Sequence, residues 1–328
     1  MNLKRVINTV AVLLLVAAAP LDLHAQSAPS ADAAGKTSVG QKTFASPEDG
    51  AKALADAVRA ADRNAVLAVL GPQSKSWLST GDDVADRADW KKFLANYDRK
   101  NAIVKEGDAT AVLNVGDDDW PFPAPLVKKD GTWRFDAEAG REEVTHRRVG
   151  RNELDTIQTL LAIVDAQREY SATDADQNGS DDYARKFISS EGKKDGLYWP
   201  TKPGETPSPL GPLVGAATRE GYAKKAAAGA PVPYHGYHYR MLTAQGNDAP
   251  GGAYDYLVKD KMIGGFAIVA YPAKYGVSGV MTFLVNHDGV VFEKDLGSAT
   301  AAQAVKMMQF NPDKTWKKTQ PVVADAPP

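Results

Sequence analysis

The 328-residue chain contains no cysteine. Disulfides, thiolate nucleophiles, cysteine-ligated zinc, iron–sulfur clusters and an N-terminal lipidated cysteine are excluded with it. Excess positive charge is missing too. The 39 Lys and Arg against 41 Asp and Glu leave a formal net charge of −2, which gives a nucleic-acid backbone nothing to hold. After the first twenty residues no apolar run is long enough to cross a bilayer. Complete catalytic motifs are also lacking. Gly276-Val277-Ser278-Gly279 falls one position short of a nucleophile elbow, and Ser190-Glu191-Gly192-Lys193 has the Ser-x-x-Lys spacing without its partner motifs. No His-Glu-x-x-His helix or phosphate-cradling Gly-rich loop occurs. What remains, 43% hydrophobic and 24% charged, is the composition of a folded protein of about two domains at ~150 residues each.

The chain begins with the three-part pattern of a secretory leader. Lys4 and Arg5 are positive, Val6 to Ala19 is apolar but too short to span, and Leu23-His24-Ala25 offers a small residue for cleavage. Residues 1–25 are therefore expected to be a signal peptide, and the protein to be exported to the periplasm or beyond. Residues 26–42, rich in Ala, Ser and Gly, read as a flexible linker.

Residues 43–149 read as a small α+β domain. Ser46-Pro47-Glu48-Asp49 is a helix start, with Ser46 as N-cap, Pro47 at the first helical position and two acids at the positive end of the dipole. Ala51, Leu54, Val58 and Ala61 share one face. Two further amphipathic segments carry Val66 to Leu70 and Trp90 to Tyr97. Alternating strands follow at 109–115, 123–128 and 132–135, the last two joined by Asp130-Gly131, a strong hairpin signal. This order is similar to nuclear-transport-factor-like and cystatin-like cones. Trp90, Trp120, Phe122, Trp133 and Phe135 would either line a pocket in such a cone or form its core. Asp117-Asp118-Asp119 reads as a solvated turn, and Glu142-Glu143 with Arg147-Arg148 as surface pairs.

Residues 150–318 read as a second α+β domain, with 319–328 as a disordered tail. Asn152 is placed as the N-cap of a helix running to Tyr170 along the seam Leu154, Ile157, Leu161 and Val164. Residues 192–233 form a long Gly- and Pro-rich excursion. Strands are expected at 235–243, 265–271, 280–285 and 290–292, followed by a short helix from Thr300 with Val305 and Met308 turned inward. The expected fold class is thus α+β, in two lobes, each an antiparallel sheet with helices on one face.

The runs Gly150-Arg151-Asn152-Glu153-Leu154, Asp195 to Pro200, Ser208 to Leu213, Pro233 to Tyr237, Ala249 to Tyr254 and Gly264 to Ala267 resemble the bacterial family catalogued as domain of unknown function 2950. That resemblance covers nearly all of the chain after the leader and implies an exported context without an established activity. More weakly, Asn152 to Tyr170 with Phe266 to Val290 resembles the soluble head of type IV pilins, which implies a pilin-like second lobe. A folded domain stands where a pilin's filament-packing helix would be, so the likeness does not imply assembly.

Chemistry-bearing residues point in three directions. Asp174, Asp176, Asn178, Ser180 and Asp182, with Gly179 at the sixth position, match the first half of a calcium loop, although Arg185 stands where the loop wants a bidentate Glu. His235 and His238 lie three apart, on opposite faces if both are on one strand. Tyr198, Trp199, Tyr234, His235, Tyr237 and Tyr254 flank backbone-rich loops, which suits recognition of a peptide or glycan. The leading expectation is an exported envelope protein, non-catalytic, that binds a partner or serves structurally, with no certain cofactor. The alternatives are an envelope hydrolase using paired acids or His235 with a carboxylate, and a calcium-stabilised structural module.

Overall fold

A computed structural model describes residues 40–202, 204–222 and 232–319. The leader, the linker up to residue 39 and the tail from residue 320 lie outside them. Gln41 and Lys42, placed by composition in the linker, are already tied into the fold. Gln41 Nε2 donates to the carbonyls of Leu70 and Phe135, and Lys42 N donates to Ala68 O.

Helix α1 (Pro47–Arg59) starts as its sequence dictates. Ser46 is extended, and its hydroxyl accepts from Asp49 N at 3.1 Å. Its inward stripe carries Ala51, Leu54 and Val58. Full burial of a side chain such as Leu54 contributes about 1.5–3 kcal/mol. Helices α2 (Arg63–Leu70) and α3 (Asp83–Arg99) follow, capped by the carboxylates of Asp62 and Asp82. The chain then turns to strands β1 (Asn101–Lys105), β2 (Thr110–Val115), β3 (Trp120–Pro121), β4 (Leu126–Lys129) and β5 (Thr132–Phe135). They form an antiparallel sheet of order β1-β2-β4-β5, with β3 on the end of β2. Strand β2 alternates as expected and buries Ala111, Leu113 and Val115. Asp130 and Gly131 both adopt positive φ (52° and 80°) in the β4–β5 turn. Strand β1 escapes the sequence reading because it is largely exposed and has no buried face to impose alternation.

Helix α4 departs most from expectation. It runs unbroken over Ala137–Ala172, 36 residues and so about 54 Å long, and is capped by Asp136 rather than Asn152. The boundary placed at 149/150 falls inside it. Gly150 sits on an open face of the helix, and Asn152 is a buried interior position whose Nδ2 donates to Ser278 O at 2.8 Å. The first half of α4 offers the first core only Ala137, Gly140 and Val144, too small a stripe to read as helical. At Gly140 a Cβ would come within 2.7 Å of the Ala124 Cβ, so the helix lies directly against the β3–β4 connection. Its second half gives Ile157, Leu160, Ile163, Val164 and Tyr170 to a second core.

The 192–233 excursion is pinned by Leu197 and Leu210 and contains helix α5 (Gly211–Glu220). Beyond it come β6 (Tyr237–Leu242), β7 (Ala244–Gln245), β8 (Tyr254–Asp255), β9 (Leu257–Val258), β10 (Lys261–Met262), β11 (Ala267–Pro272), β12 (Met281–Asn286) and β13 (Phe292–Asp295). Helix α6 (Thr300–Lys306), β14 (Gln309–Phe310) and β15 (Lys317–Lys318) close the chain. The main sheet is antiparallel, of order β15-β13-β12-β11-β6, and β11 is buried along nearly its whole length between α4 and α6. The inward face of α6 is not the expected one. Val305 and Met308 point to solvent, and Thr300 and Ala304 face the sheet. The reason lies on β6, where the Arg240 guanidinium takes the carbonyls of Ala304 and Met307 and so fixes the rotation of α6.

The fold is α+β. Two hydrophobic clusters, each built on an antiparallel sheet, share one helix, and both lie within a single compact unit, Val39–Pro328. Among the described residues no helix is long and apolar enough to cross a membrane.

Candidate functional site

A cavity of about 430 Å³ opens between α3, α4 and the residues around β3. Helical periodicity builds two of its walls. Asp86, Asp89, Trp90, Phe93 and Asn96 fall on one face of α3, and Val144, Arg147, Arg148 and Arg151 on one face of α4. Trp120, Pro121, Phe122 and Pro123 make the floor, and Trp77 and Leu78 one end. The Phe122 ring lies 5.3 Å from that of Phe93, which stands edge-on to Trp90 at 6.0 Å. Of the five aromatics expected to line a pocket or fill a core, the structure divides the roles. Trp90, Trp120 and Phe122 line the cavity, and Trp133 and Phe135 are buried in the core beneath it.

The charged groups of this cavity are not equivalent. Arg147 lies over the Trp120 ring at 5.0 Å, donates to Pro121 O, and pairs with Glu143 one turn earlier. Arg151 pairs with Asp89 across the opening at 3.0 Å. Arg148 has turned inward. Its Nη1 donates to Trp77 O at 2.8 Å, and it has no carboxylate within ion-pair distance among the described residues. Burial draws its pKa below the ordinary arginine value, against the attraction of Asp86 and Asp89, although a guanidinium stays charged. Asp86 is raised by burial, which outweighs the two hydrogen bonds it accepts from Thr80 N and Oγ1. The surface-pair expectation therefore holds for Arg147 with Glu143 and fails for Arg148, because a helix face decides which of two neighbouring arginines meets solvent.

A family model described as Protein of unknown function (DUF2950) matches residues 41–319. The chain belongs to that family. No curated protein and no solved structure matched it. The match to DUF2950 opens at Gln41, whose side-chain amide is tied into the fold. These comparisons do not confirm the resemblance of Asn152 to Tyr170 and Phe266 to Val290 to type IV pilin heads.

A second polar cluster joins the two halves of this DUF2950 chain. Asp82, 2% exposed, caps α3 through Oδ1, which accepts from Val84 N and Ala85 N. Its Oδ2 accepts from the Tyr222 hydroxyl at 2.7 Å and from Gly236 N at 3.1 Å. Beside it His235, held at φ 50°, lies between Asp155 Oδ2 (3.3 Å from Nδ1) and Glu220 Oε2 (3.5 Å from Nε2). The rings of Tyr222, Tyr234 and His235 are in mutual contact. Burial alone would lower the His235 pKa, but the hydrogen bond and charge of Asp155, with Glu220 and Asp82, outweigh it and leave it above 6.5. Among the described residues both ring nitrogens face carboxylates, so His235 forms a polar latch between Asp155 of α4 and Glu220 of α5.

The other expected contact residues are not brought together. Tyr234 and His235 share the latch, and Tyr237 is fully buried, its hydroxyl donating to Met281 O. Tyr198 pairs through its backbone with Phe187 and Ile188, Trp199 carries Lys194 over its ring, and Tyr254 stands exposed beside Tyr256. Neither of the two cavities described among these residues is lined by any of the six. The candidate calcium loop is also differently wired. Asp174 Oδ1 and Oδ2 accept from the amides of Asn178 and Gly179, and Asp176 and Asp182 both accept from Asn178 Nδ2. The Lys261 ammonium approaches Asn178 Oδ1 at 2.9 Å, so a cation of the chain's own occupies the oxygen-rich side. Ser180 stands outside this network, and Arg185, at the twelfth position, reaches Asp260 instead. Among the described residues no group of three or more His, Asp or Glu is arranged to hold a metal ion, His235 with His238 included.

The sequence reading missed Trp77, Asp82, Asp86, Arg148 and Tyr222. The one available signal was the spacing Val144, Arg148, Arg151, an i, i+4, i+7 stripe that a helix starting at Asp136 turns toward α3.

Proposed function

We propose that this chain is an exported, non-catalytic protein of the bacterial envelope whose task is to hold a small organic ligand in the α3–α4 cavity. One observation carries the reading: a largely apolar cavity of about 430 Å³, walled by Trp77, Trp90, Phe93, Trp120 and Phe122, with a few polar groups at fixed positions. That volume and lining fall in the ordinary range of small-molecule sites, about 300–1,000 Å³. Export is supported by the leader pattern of residues 1–25. The peptide or glycan contact placed on Tyr198, Trp199, Tyr234, His235, Tyr237 and Tyr254 is not carried into this reading, since none of the six lines the cavity.

Three of the six tryptophans line the cavity, so binding should be visible in their emission. A panel of anionic, neutral and cationic one- and two-ring compounds is titrated against the purified chain. Saturable quenching by at least one compound is expected, and silence across the panel would refute the reading. For export, N-terminal sequencing of the protein from a fractionated cell should begin at Gln26 in the envelope fraction. An uncut chain in the cytosol would refute it.

A further inference from the structure

We propose that the ligand of this cavity is an aromatic carboxylate, its rings among Trp90, Phe93, Trp120 and Phe122 and its carboxylate on Arg148. The inference rests on the binding reading above and deepens it to a chemical class. Four cations reach the cavity, and three are already committed or solvated. Arg147 is spent on Trp120, Pro121 O and Glu143; Arg151 is held by Asp89; Lys92 is exposed to solvent.

Arg148 is different. It is half-buried, uses one hydrogen bond on Trp77 O, and has no carboxylate within 4.0 Å among the described residues. No nitrogen of its guanidinium is both buried and without a partner, so its remaining donors are open to solvent. A guanidinium presents five donors in a planar fork that matches a carboxylate two bonds at a time. An apolar chamber with such a fork in its lining selects for a flat apolar body with one anionic group. The acids at the cavity do not reverse this preference. Asp86 and Asp89 attract Arg148 only from beyond 4.0 Å; Asp89 is paired with Arg151, Asp86 accepts from Thr80, and Asp118 is exposed.

The test uses two probes of the same shape, 2-naphthoate and its neutral isostere 2-naphthamide, titrated by calorimetry and tryptophan emission against the full chain. Charge-assisted bonding to Arg148 should make the naphthoate bind about 10- to 100-fold more tightly than the amide. In Arg148→Met the two affinities should converge, with circular dichroism confirming that the variant is folded. The wild-type comparison stands even if that variant does not fold, and Arg148→Lys, which keeps the charge but loses the fork, should fall between them.

Equal affinities in the wild-type protein would overturn the proposal and leave the cavity reading intact. Failure of both naphthyl compounds would also overturn it. The panel described above then decides separately whether the cavity binds anything. A second copy or a peptide segment as the true occupant would give this second outcome.

Discussion

The buried Asp82 carboxylate accepts four hydrogen bonds that tie α3 to Tyr222 and Gly236, and its removal can be sized from them. In Asp82→Ala the α3 N-cap is lost, at a cost of about 0.5–2 kcal/mol. The Tyr222 hydroxyl and Gly236 N lose their acceptor in a buried setting, and each unsatisfied donor costs about 1–3 kcal/mol. Water entering beside Tyr222 offsets part of this, so a net loss of about 3–5 kcal/mol is expected. For a chain of this size that is a fall in melting midpoint of about 6–10 °C, at about 2 °C per kcal/mol.

Asp82→Asn supplies the control. Its amide oxygen can still cap α3 and Tyr222 can turn to accept, leaving only Gly236 N facing a donor. Its loss should be about half that of Asp82→Ala or less. The assay is a thermal melt by circular dichroism, with hydrogen exchange reading Gly236 and the first turn of α3. A midpoint for Asp82→Ala within about 1 °C of wild type, or Asn as harmful as Ala, would refute the assignment of Asp82 as the tie between the two halves.

The latch gives a pH prediction whose sign is fixed. A histidine whose folded pKa is raised contributes stability that is fully present below its ordinary value of 6.5 and is lost as pH rises through the folded value. His238 works in the opposite sense because burial lowers its pKa, so the wild-type melt alone mixes the two. The difference between wild type and His235→Gln isolates the latch. It should be largest near pH 5 and shrink toward pH 8, and a difference that grows with pH would contradict the geometry. Chelation should leave the melt unchanged, since Lys261 already serves the 174–182 loop; a midpoint raised by calcium would restore the ion to that loop.

What could be read from the sequence follows from where physics acts locally. The start of α1 needs only Ser46 and Pro47, and the β4–β5 turn only Asp130 and Gly131, so both were legible. The first half of α4 was not, because its inward face carries Ala137, Gly140 and Val144, and its large side chains are charged. Asn152 resembled a cap because asparagine usually is one; its partner, Ser278 O, lies 126 residues away. Half of the cavity was visible in Trp90, Trp120 and Phe122. The polar half was not, since Arg147 and Arg148 are chemically identical, and only the rotation of α4 separates a surface pair from an inward fork. The aromatic cluster around the 192–233 excursion misled for a related reason. Residue type showed that those rings were large, while long-range packing decided that Tyr237 lies in a core and Tyr254 in solvent.

The most direct measurement asks whether ligand sits in the α3–α4 cavity. Val144 lines it from α4, and Val144→Trp would take up part of the space while keeping Arg148 and Asp82 in the chain. Any compound that quenches wild-type tryptophan emission should lose its binding in Val144→Trp, measured by calorimetry on a variant whose melt stays within a few degrees of wild type. Equal binding to the open and the plugged protein would place the ligand elsewhere and contradict the account.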